Sequence, residues 1–372
     1  MRKGIKIAKI TSIKVEEMEE VISALGFGPF GVAQINHIDK VTRADKPAAL
    51  KVYDSNPDIL EAIASTHRHP KHFSDIQLSG RVKPVENIPA LLKGADHLLV
   101  NVNAQAVRTI AGEIAQYIEP KTIITIMAKG IDLESKKLLY EIIEDALEKE
   151  GKNNSILQFS GGTIASDLAY SAEKYATSIG LVDERMVAEV AGENLQARES
   201  VGSLLHSRIM RVYLNDDIRG VSYNGALKNV ITPVVGIIIG RGMGISTQSS
   251  FILRATEDIK RFGMQFGAKE RTYSSGSPSF MGDLMVSCFG STRNRELGIM
   301  IGKGIPALEA IAQMQAKGQT VEGPDTCKAV HDISQEYGLT VPCFDIAYKI
   351  LFESLPLEEA ESLLMSRPQR HI

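Results

Sequence analysis

Cysteine is scarce in this chain: Cys288, Cys327 and Cys343 are the only three among 372 residues. An odd number with no C-x-x-C spacing argues against both a disulfide framework and a zinc site, and reads as buried thiols of a reducing compartment. No run approaches the ~18 uninterrupted apolar residues of a membrane-crossing helix. No lysine-rich arm with interleaved aromatics occurs, and the net charge is -3 with a pI near 6.3. Nucleic acid is therefore not an expected partner, and a small anion would have to be drawn by local cations. The opening MRKGIKIAKI is basic but soon meets Glu16, Glu17, Glu19 and Glu20, without the apolar core and cleavage site of a signal peptide. No internal repeat, low-complexity tract or Pro/Gly-rich linker is present. These absences point to a cytoplasmic globular protein, long enough for two separate cores.

The first part alternates short apolar runs with helical patterns, as βαβ units of a parallel sheet do. Strands are predicted near Val21–Leu25, Ala49–Tyr53, Leu98–Val102, Thr122–Met127, Ile156–Phe159, Tyr175–Ile179 and Met210–Leu214, with helices over Ala104–Tyr117 and Ser135–Lys149. From about Asp217 strand-like runs thin out. Ile252, Ala255, Ile259 and Phe262 then recur at three- and four-residue steps, the period of an amphipathic helix. Leu355–Met365 reads as a last helix and SRPQRHI as a loose tail. The expected fold is α/β: a Rossmann-like, doubly wound, mostly parallel sheet over residues 1–216, joined through a continuous helix to an all-α C-terminal domain over 217–372.

Gly26-Phe27-Gly28-Pro29-Phe30-Gly31 fits G-x-G-x-x-G and follows the apolar run Val21–Leu25, the context a dinucleotide motif demands. Gly26 permits a tight turn, Gly28 lets backbone approach a pyrophosphate, and Gly31 lets the next helix pack on the strand, with its N-terminus facing the phosphates. Asp54 ends the next strand, where a carboxylate can accept hydrogen bonds from an adenosine ribose and repel a 2′-phosphate. NAD is thereby favoured, with NADP left open; the competing reading makes Asp54 a turn residue of DSNPD.

Gly225-Ala226-Leu227-Lys228-Asn229 sets a lysine between small residues in an otherwise apolar helix, Val221 to Ile239, so its ammonium must reach a cleft or a partner. Burial or a neighbouring cation lowers a lysine pKa towards that of a working acid, and an aspartate such as Asp283 can hold it in place. Lys129 follows the strand Thr122–Met127, in the crevice at strand C-termini. Two adjacent ammonium groups depress each other's pKa, and the more buried one becomes a competent acid near neutrality. Arg293 offers the planar fork that suits a phosphate, with Asn229 and Asn294 able to hold hydroxyl or phosphate oxygens. Against this stands a plainer reading, in which Lys228 snorkels from its helix and Arg293 pairs with Glu296 on a surface turn.

Five motifs in fixed order decide between them: MAKGID from Met127, SGGTIASDLA from Ser160, NGALKNV from Asn224, GDLMVSCFGSTRNRELG from Gly282 and VEGPDT from Val321. Together they resemble the NAD-dependent glycerol-3-phosphate dehydrogenase family, from about Gly26 to about Glu353. The resemblance implies that Lys228 is the acid/base at the substrate carbonyl, that Lys129 assists, and that Asp283 completes the constellation. It implies that the loop Asn103-Ala104-Gln105, with Phe30, Lys129, Ala165, Arg293 and Glu322, lies on the cofactor side. The chain departs from the family in about twenty residues ahead of the first strand, in the polar stretch VAQINHIDKVTRAD, in Asn103 where proline is usual, in Thr163, and in Asp167 where glutamate is usual.

Gly240 to Gly244, GRGMG, lacks the lysine and hydroxyl of a phosphate loop and reads as a turn between helices. His67, His69 and His72 have no carboxylate or cysteine at ligand spacing and read as a solvent-facing turn, with no metal expected. Met243, Met264, Met281 and Met285 read as gap-fillers between helices. The expectation is a cytoplasmic, homodimeric enzyme that interconverts sn-glycerol 3-phosphate and dihydroxyacetone phosphate with NAD. The rivals are a sister dehydrogenase for another small phosphorylated or phosphonylated hydroxy compound, and a non-catalytic dinucleotide sensor, motivated by the altered N-terminal half.

Overall fold

In the computed structural model, residues 20–46, 48–177 and 184–365 are described. The basic N-terminal stretch, residues 178–179 of the strand expected at Tyr175–Ile179, and the SRPQRHI tail lie outside them.

Eight strands form one sheet: β1 Glu20–Leu25, β2 Ala48–Tyr53, β3 Val82–Pro84, β4 His97–Val100, β5 Ile123–Ile126, β6 Ile156–Gly162, β7 Met186–Ala191 and β8 Met210–Asn215. Their spatial order is β3-β2-β1-β4-β5-β6-β7-β8, and every neighbouring pair is parallel except β6 with β7. The first six strands repeat the Rossmann order, whose reversal point between β1 and β4 opens a crevice at the strand C-termini. The near-continuous apolar runs, such as His97–Val100 with every residue buried, are what a sheet covered on both faces requires.

The flanking helices are α1 Pro29–His37, α2 Pro57–Thr66, α3 Ile88–Leu92, α4 Ala106–Tyr117, α5 Leu139–Lys149, α6 Ala165–Thr177 and α7 Leu195–Leu205. One core lies between the sheet and α1, α6 and α7, around Ile35, Phe159, Leu168 and Val201. The other runs from α4 and α5 into the helical region without a break, joining Val107, Ile114 and Ile143 to Val230 and Phe262. That region comprises α8 Ile218–Gly240, α9 Ile245–Gln265, α10 Asp283–Phe289, α11 Arg293–Gly302, α12 Ala307–Ala316, α13 Gly323–Glu336, α14 Pro342–Phe352 and α15 Leu357–Met365.

Helix α8 is the axis of the helical region: between Gly220 and Ile238 every residue is buried except Lys228. It meets α11 at backbone contact. A Cβ on Gly298 would lie 1.9 Å from the Pro233 carbonyl oxygen, and one on Gly236 would lie 2.2 Å from that of Arg295. Only glycines allow this approach, and it brings the start of α11 beside Asn229. Pro233 also removes the donor that would bond the Asn229 carbonyl within α8, and that oxygen instead faces Gly323 at the start of α13.

Three expectations need correction. Tyr175–Ile179 is not a strand over its described part: Leu168, Ala169 and Ala172 make a helical apolar stripe, and α6 continues through Tyr175 to Thr177. The β3 and β7 strands were not predicted, β3 because three residues carry no periodicity and β7 because MVAEVA breaks its apolar run with a buried glutamate. Helix α5 begins at Leu139 rather than Ser135, because Asp132 accepts the Ser135 N–H at 2.7 Å and hydroxyl at 2.8 Å and holds a turn there. The polar stretch after Gly31 is buried over residues 32–39: Gln34, Asn36 and His37 are wholly covered, and burial pushes the His37 imidazole down to about 3. GRGMG is the turn between α8 and α9, and the three cysteines are buried and form no disulfide.

Candidate active site

Asp283, the first residue of α10, is 1 % exposed and holds both lysines. Lys228 Nζ lies 2.6 Å from Asp283 Oδ1, and Lys129 Nζ lies 2.5 Å from Oδ2. The Ser160 hydroxyl donates to Oδ2 at 3.1 Å and the Ser287 hydroxyl lies 3.4 Å from Oδ1, so four donors meet the four lone-pair positions of one carboxylate. Lys228 also donates to Ser287 Oγ at 2.6 Å. Two of its three hydrogens are thus engaged and one is left for the cleft. Gly225 leaves room for the Lys129 stem, since a Cβ there would sit 3.3 Å from Lys129 Cγ.

The charges work against one another. Burial lowers the Lys129 pKa and Lys228 lowers it further, while Asp283 opposes both. Burial would raise the Asp283 pKa, but the two ammonium groups outweigh it and hold the carboxyl below its ordinary range. Two cations on one carboxylate leave a net positive charge in a nearly dry site, which favours an oxyanion or phosphate. Glu322, capping α13, has its pKa raised by burial, with Arg293, Lys228 and Lys129 acting in the opposite sense.

A second chain of contacts runs from α8 to α11 and α13. Asn294 Nδ2 donates to Asn229 Oδ1 at 3.1 Å, and the Gly323 N–H donates to Asn294 Oδ1 at 3.0 Å. Asn229 Nδ2 points at Glu322 Oε2, 3.5 Å away. Arg293 opens α11, is exposed, and forms no ion pair with Glu296 or any other described carboxylate. Of the residues expected in the cleft, Lys129, Lys228, Asp283, Asn229, Asn294 and Glu322 meet there. Ser160 and Ser287 were missed, although Ser287 stands one helical turn after Asp283.

The glycine turn lies at the sheet's reversal point. Gly26 has φ +87°, and a Cβ on it would strike the Asn101 carbonyl group at 2.9 Å. A Cβ on Gly31 would lie 2.5 Å from the Gly26 oxygen, whereas Gly28 faces open space. Helix α1 starts there with Pro29 and no side-chain cap, so its N-terminal N–H groups are open to an anion, as a dinucleotide pyrophosphate requires. Phe30 packs 5.9 Å from Phe159, and Ala165 is the half-buried first residue of α6. Asp54 accepts the N–H of Phe27 and of Asn56, each at 2.9 Å, so it braces the glycine turn and its own turn together. Asn103 is exposed, while Gln105 is committed to the loop after β5, donating to the Ile131 oxygen at 3.0 Å and accepting from Leu133 N–H at 3.1 Å.

The histidine loop is not the solvent-facing turn expected. His69 is buried; its Nδ1 accepts the N–H of Lys71 at 3.1 Å and of His72 at 3.0 Å, and its ring packs 6.1 Å from Phe27 of the glycine turn. Burial, aided by His72, pushes its imidazole down to about 4. The signal was available in the polar-apolar mixture of THRHPKHF, but nothing local indicates that a neighbouring turn will cover it. Among the described residues no three His, Cys, Asp or Glu side chains are gathered to hold a metal ion.

A Rossmann sheet with an open glycine turn, whose loop after β5 brings Lys129 to meet Lys228 of helix α8 on one carboxylate, defines a nicotinamide-dinucleotide dehydrogenase. A family model described as the N-terminus of NAD-dependent glycerol-3-phosphate dehydrogenase matches residues 21–186, and one described as its C-terminus matches residues 217–362. A glycerol-3-phosphate dehydrogenase (NAD(P)+) of Clostridium perfringens is 30 % identical over 350 residues, which is 94 % of this chain and 98 % of that protein. One of Moorella thermoacetica is 30 % identical over 356 residues, covering 95 % and 98 %. The crystal structure of glycerol-3-phosphate dehydrogenase from Coxiella burnetii has the same fold, with a TM-score of 0.80 at 24 % identity over 94 % of this chain and 99 % of that one. The chain belongs to the NAD-dependent glycerol-3-phosphate dehydrogenase family.

Proposed function

We propose that this chain interconverts sn-glycerol 3-phosphate and dihydroxyacetone phosphate with NAD(P), and that Lys228 is the acid/base. The observation that carries the reading is the convergence of Lys228 and Lys129 on the single buried carboxylate of Asp283, beside the crevice that the glycine turn opens. The bound nicotinamide supplies or accepts the hydride. The chain's own residues do the rest. The remaining hydrogen of Lys228 is directed to the carbonyl oxygen and is given up as that oxygen gains charge; in the oxidative direction the amine takes it back. Lys129 steadies the same oxygen by charge, and Asp283 fixes both ammonium groups in register. Arg293, unpaired at the mouth of the cleft, grips the substrate phosphate bidentately, and Asn229 and Asn294 orient the hydroxyl-bearing carbon chain. Gly26, Gly28, Gly31, Phe30, Asn103, Gln105, Ala165 and Glu322 line the dinucleotide side, and Asp54 favours NAD over NADP.

The reading includes two domains over residues 1–216 and 217–372, a homodimer, and a cytoplasmic setting suggested by the reduced thiols. No helix among the described residues is long and apolar enough to cross a membrane. Loss of NADH absorbance on addition of dihydroxyacetone phosphate tests the reading; equal inertness towards this and other phosphorylated carbonyls would remove it.

A further inference from the structure

We propose that Glu189 is a positioning residue for Asp283, acting from the sheet side of the seam between sheet and helices. Glu189 lies on β7, is 3 % exposed and forms no ion pair with a described cation. Neutral groups hold it. The Ser277 hydroxyl donates to Oε1 at 2.9 Å and the Ser279 N–H to the same oxygen at 2.8 Å, while Asn215 Nδ2 donates to Oε2 at 2.9 Å. A buried carboxylate is costly unless its oxygens are hydrogen-bonded, so these three bonds tie together the segments that carry the donors.

Those segments lead to the two charged partners of the active site. Ser277 caps the turn Pro278–Gly282, accepting the Phe280 N–H at 3.3 Å, and Asp283 follows that turn directly. Asn215 accepts the Asp217 N–H at 3.0 Å, and Asp217 caps α8, the helix that carries Lys228, by accepting the Gly220 N–H at 2.9 Å. The strand register adds a third tie. In the antiparallel β6–β7 pair Ser160 stands opposite Glu189, so the two side chains leave the same face of the sheet. Ser160 donates to Asp283 itself, while Glu189 fixes the turn ahead of it. Neighbouring strands therefore grip both ends of one short segment. Glu189 touches neither lysine and acts through Ser277, Ser279 and Asn215.

The proposal rests on the lysine–aspartate reading above, and its test separates the two. E189Q keeps an acceptor for Ser277 and Ser279 but turns an amide NH2 against that of Asn215; N215D in the same chain supplies an oxygen there. We expect E189A and E189Q to lower kcat at saturating substrates by about tenfold or more, with the Kd for NADH, read by fluorescence, within about twofold of the parent. Amide hydrogen exchange at Ser279 and Phe280 should quicken in both variants, and E189Q/N215D should return kcat and exchange to within about threefold of the parent. Parental exchange at Ser279 and Phe280 in E189A would overturn the proposal. So would a lowered melting temperature with parental kcat well below it. A parent inert towards dihydroxyacetone phosphate would remove the proposed reaction, and the exchange measurement would still decide whether Glu189 holds the turn.

Discussion

Lys228 Nζ stands 2.6 Å from Asp283 Oδ1, on a carboxylate whose other oxygen already carries Lys129. The arrangement makes Asp283 the residue on which the chemistry and the local stability both depend. Breaking a buried ion pair from one side strands the remaining charges, which costs about 3–5 kcal/mol. We expect Asp283→Asn to lose stability on that scale and to lose turnover as well. Lys228→Ala should behave differently: kcat should fall by about 10²–10⁴-fold, the usual contribution of a general acid, with NADH binding kept. Stopped-flow turnover beside urea denaturation separates the two variants.

The alkaline side of the pH profile reports Lys129. Its pKa is lowered chiefly by burial, so its proton leaves at a lower pH than that of an exposed lysine, and activity that needs the ammonium should fall before pH reaches the ordinary lysine range. Asp283 pulls in the opposite direction, so in Asp283→Asn, which is too slow to give a rate profile, the Lys129 ammonium followed by NMR should titrate at still lower pH. The stability sign follows from the same shift. Because the unfolded chain holds the proton to higher pH, the folding penalty of this ammonium is present at neutral pH and is relieved as pH rises through the folded pKa. A parental limb at the position of free lysine, or a Lys129 titration unmoved by Asp283→Asn, would contradict this.

The close approach of α8 and α11 gives a third expectation. Gly298→Ala places a methyl 1.9 Å from the Pro233 carbonyl oxygen, a backbone atom that cannot swing aside. Overpacking of this kind costs about 1–3 kcal/mol, and the better helix propensity of alanine returns only about 1. The net loss should be measurable by thermal denaturation. As α11 carries Arg293 and Asn294, KM for the phosphate substrate should rise more than KM for NADH.

Asp54 gives the fourth. Its oxygens hold the Phe27 and Asn56 N–H groups, and a carboxylate retains lone pairs for a ribose hydroxyl. Asp54→Ala should raise KM for NADH and narrow the preference for NADH over NADPH by about tenfold, or about 1.4 kcal/mol. An unchanged ratio of kcat/KM values would show that Asp54 serves only the turn.

Much of this was legible because the signals are local. G-x-G-x-x-G after an apolar run gave the glycine turn, and a lone lysine in an apolar helix gave Lys228. What was hidden depends on distant partners. The glutamate in MVAEVA argues against a buried strand until Ser277, Ser279 and Asn215 are seen around it. His69 reads as surface because Phe27, which covers it, is about forty residues away in sequence. Tyr175–Ile179 carries a tyrosine, a threonine and an isoleucine, which suit a strand, but the stripe of Leu168, Ala169 and Ala172 before it carries α6 through to Thr177.

The most direct test mixes the purified protein with dihydroxyacetone phosphate and follows NADH absorbance, with NADPH in parallel and Lys228→Ala as the control. The account requires rapid NADH oxidation by the parent, slower use of NADPH, and almost none by the variant. A folded, NADH-binding parent that oxidises neither cofactor, or a Lys228→Ala variant as fast as the parent, would contradict it.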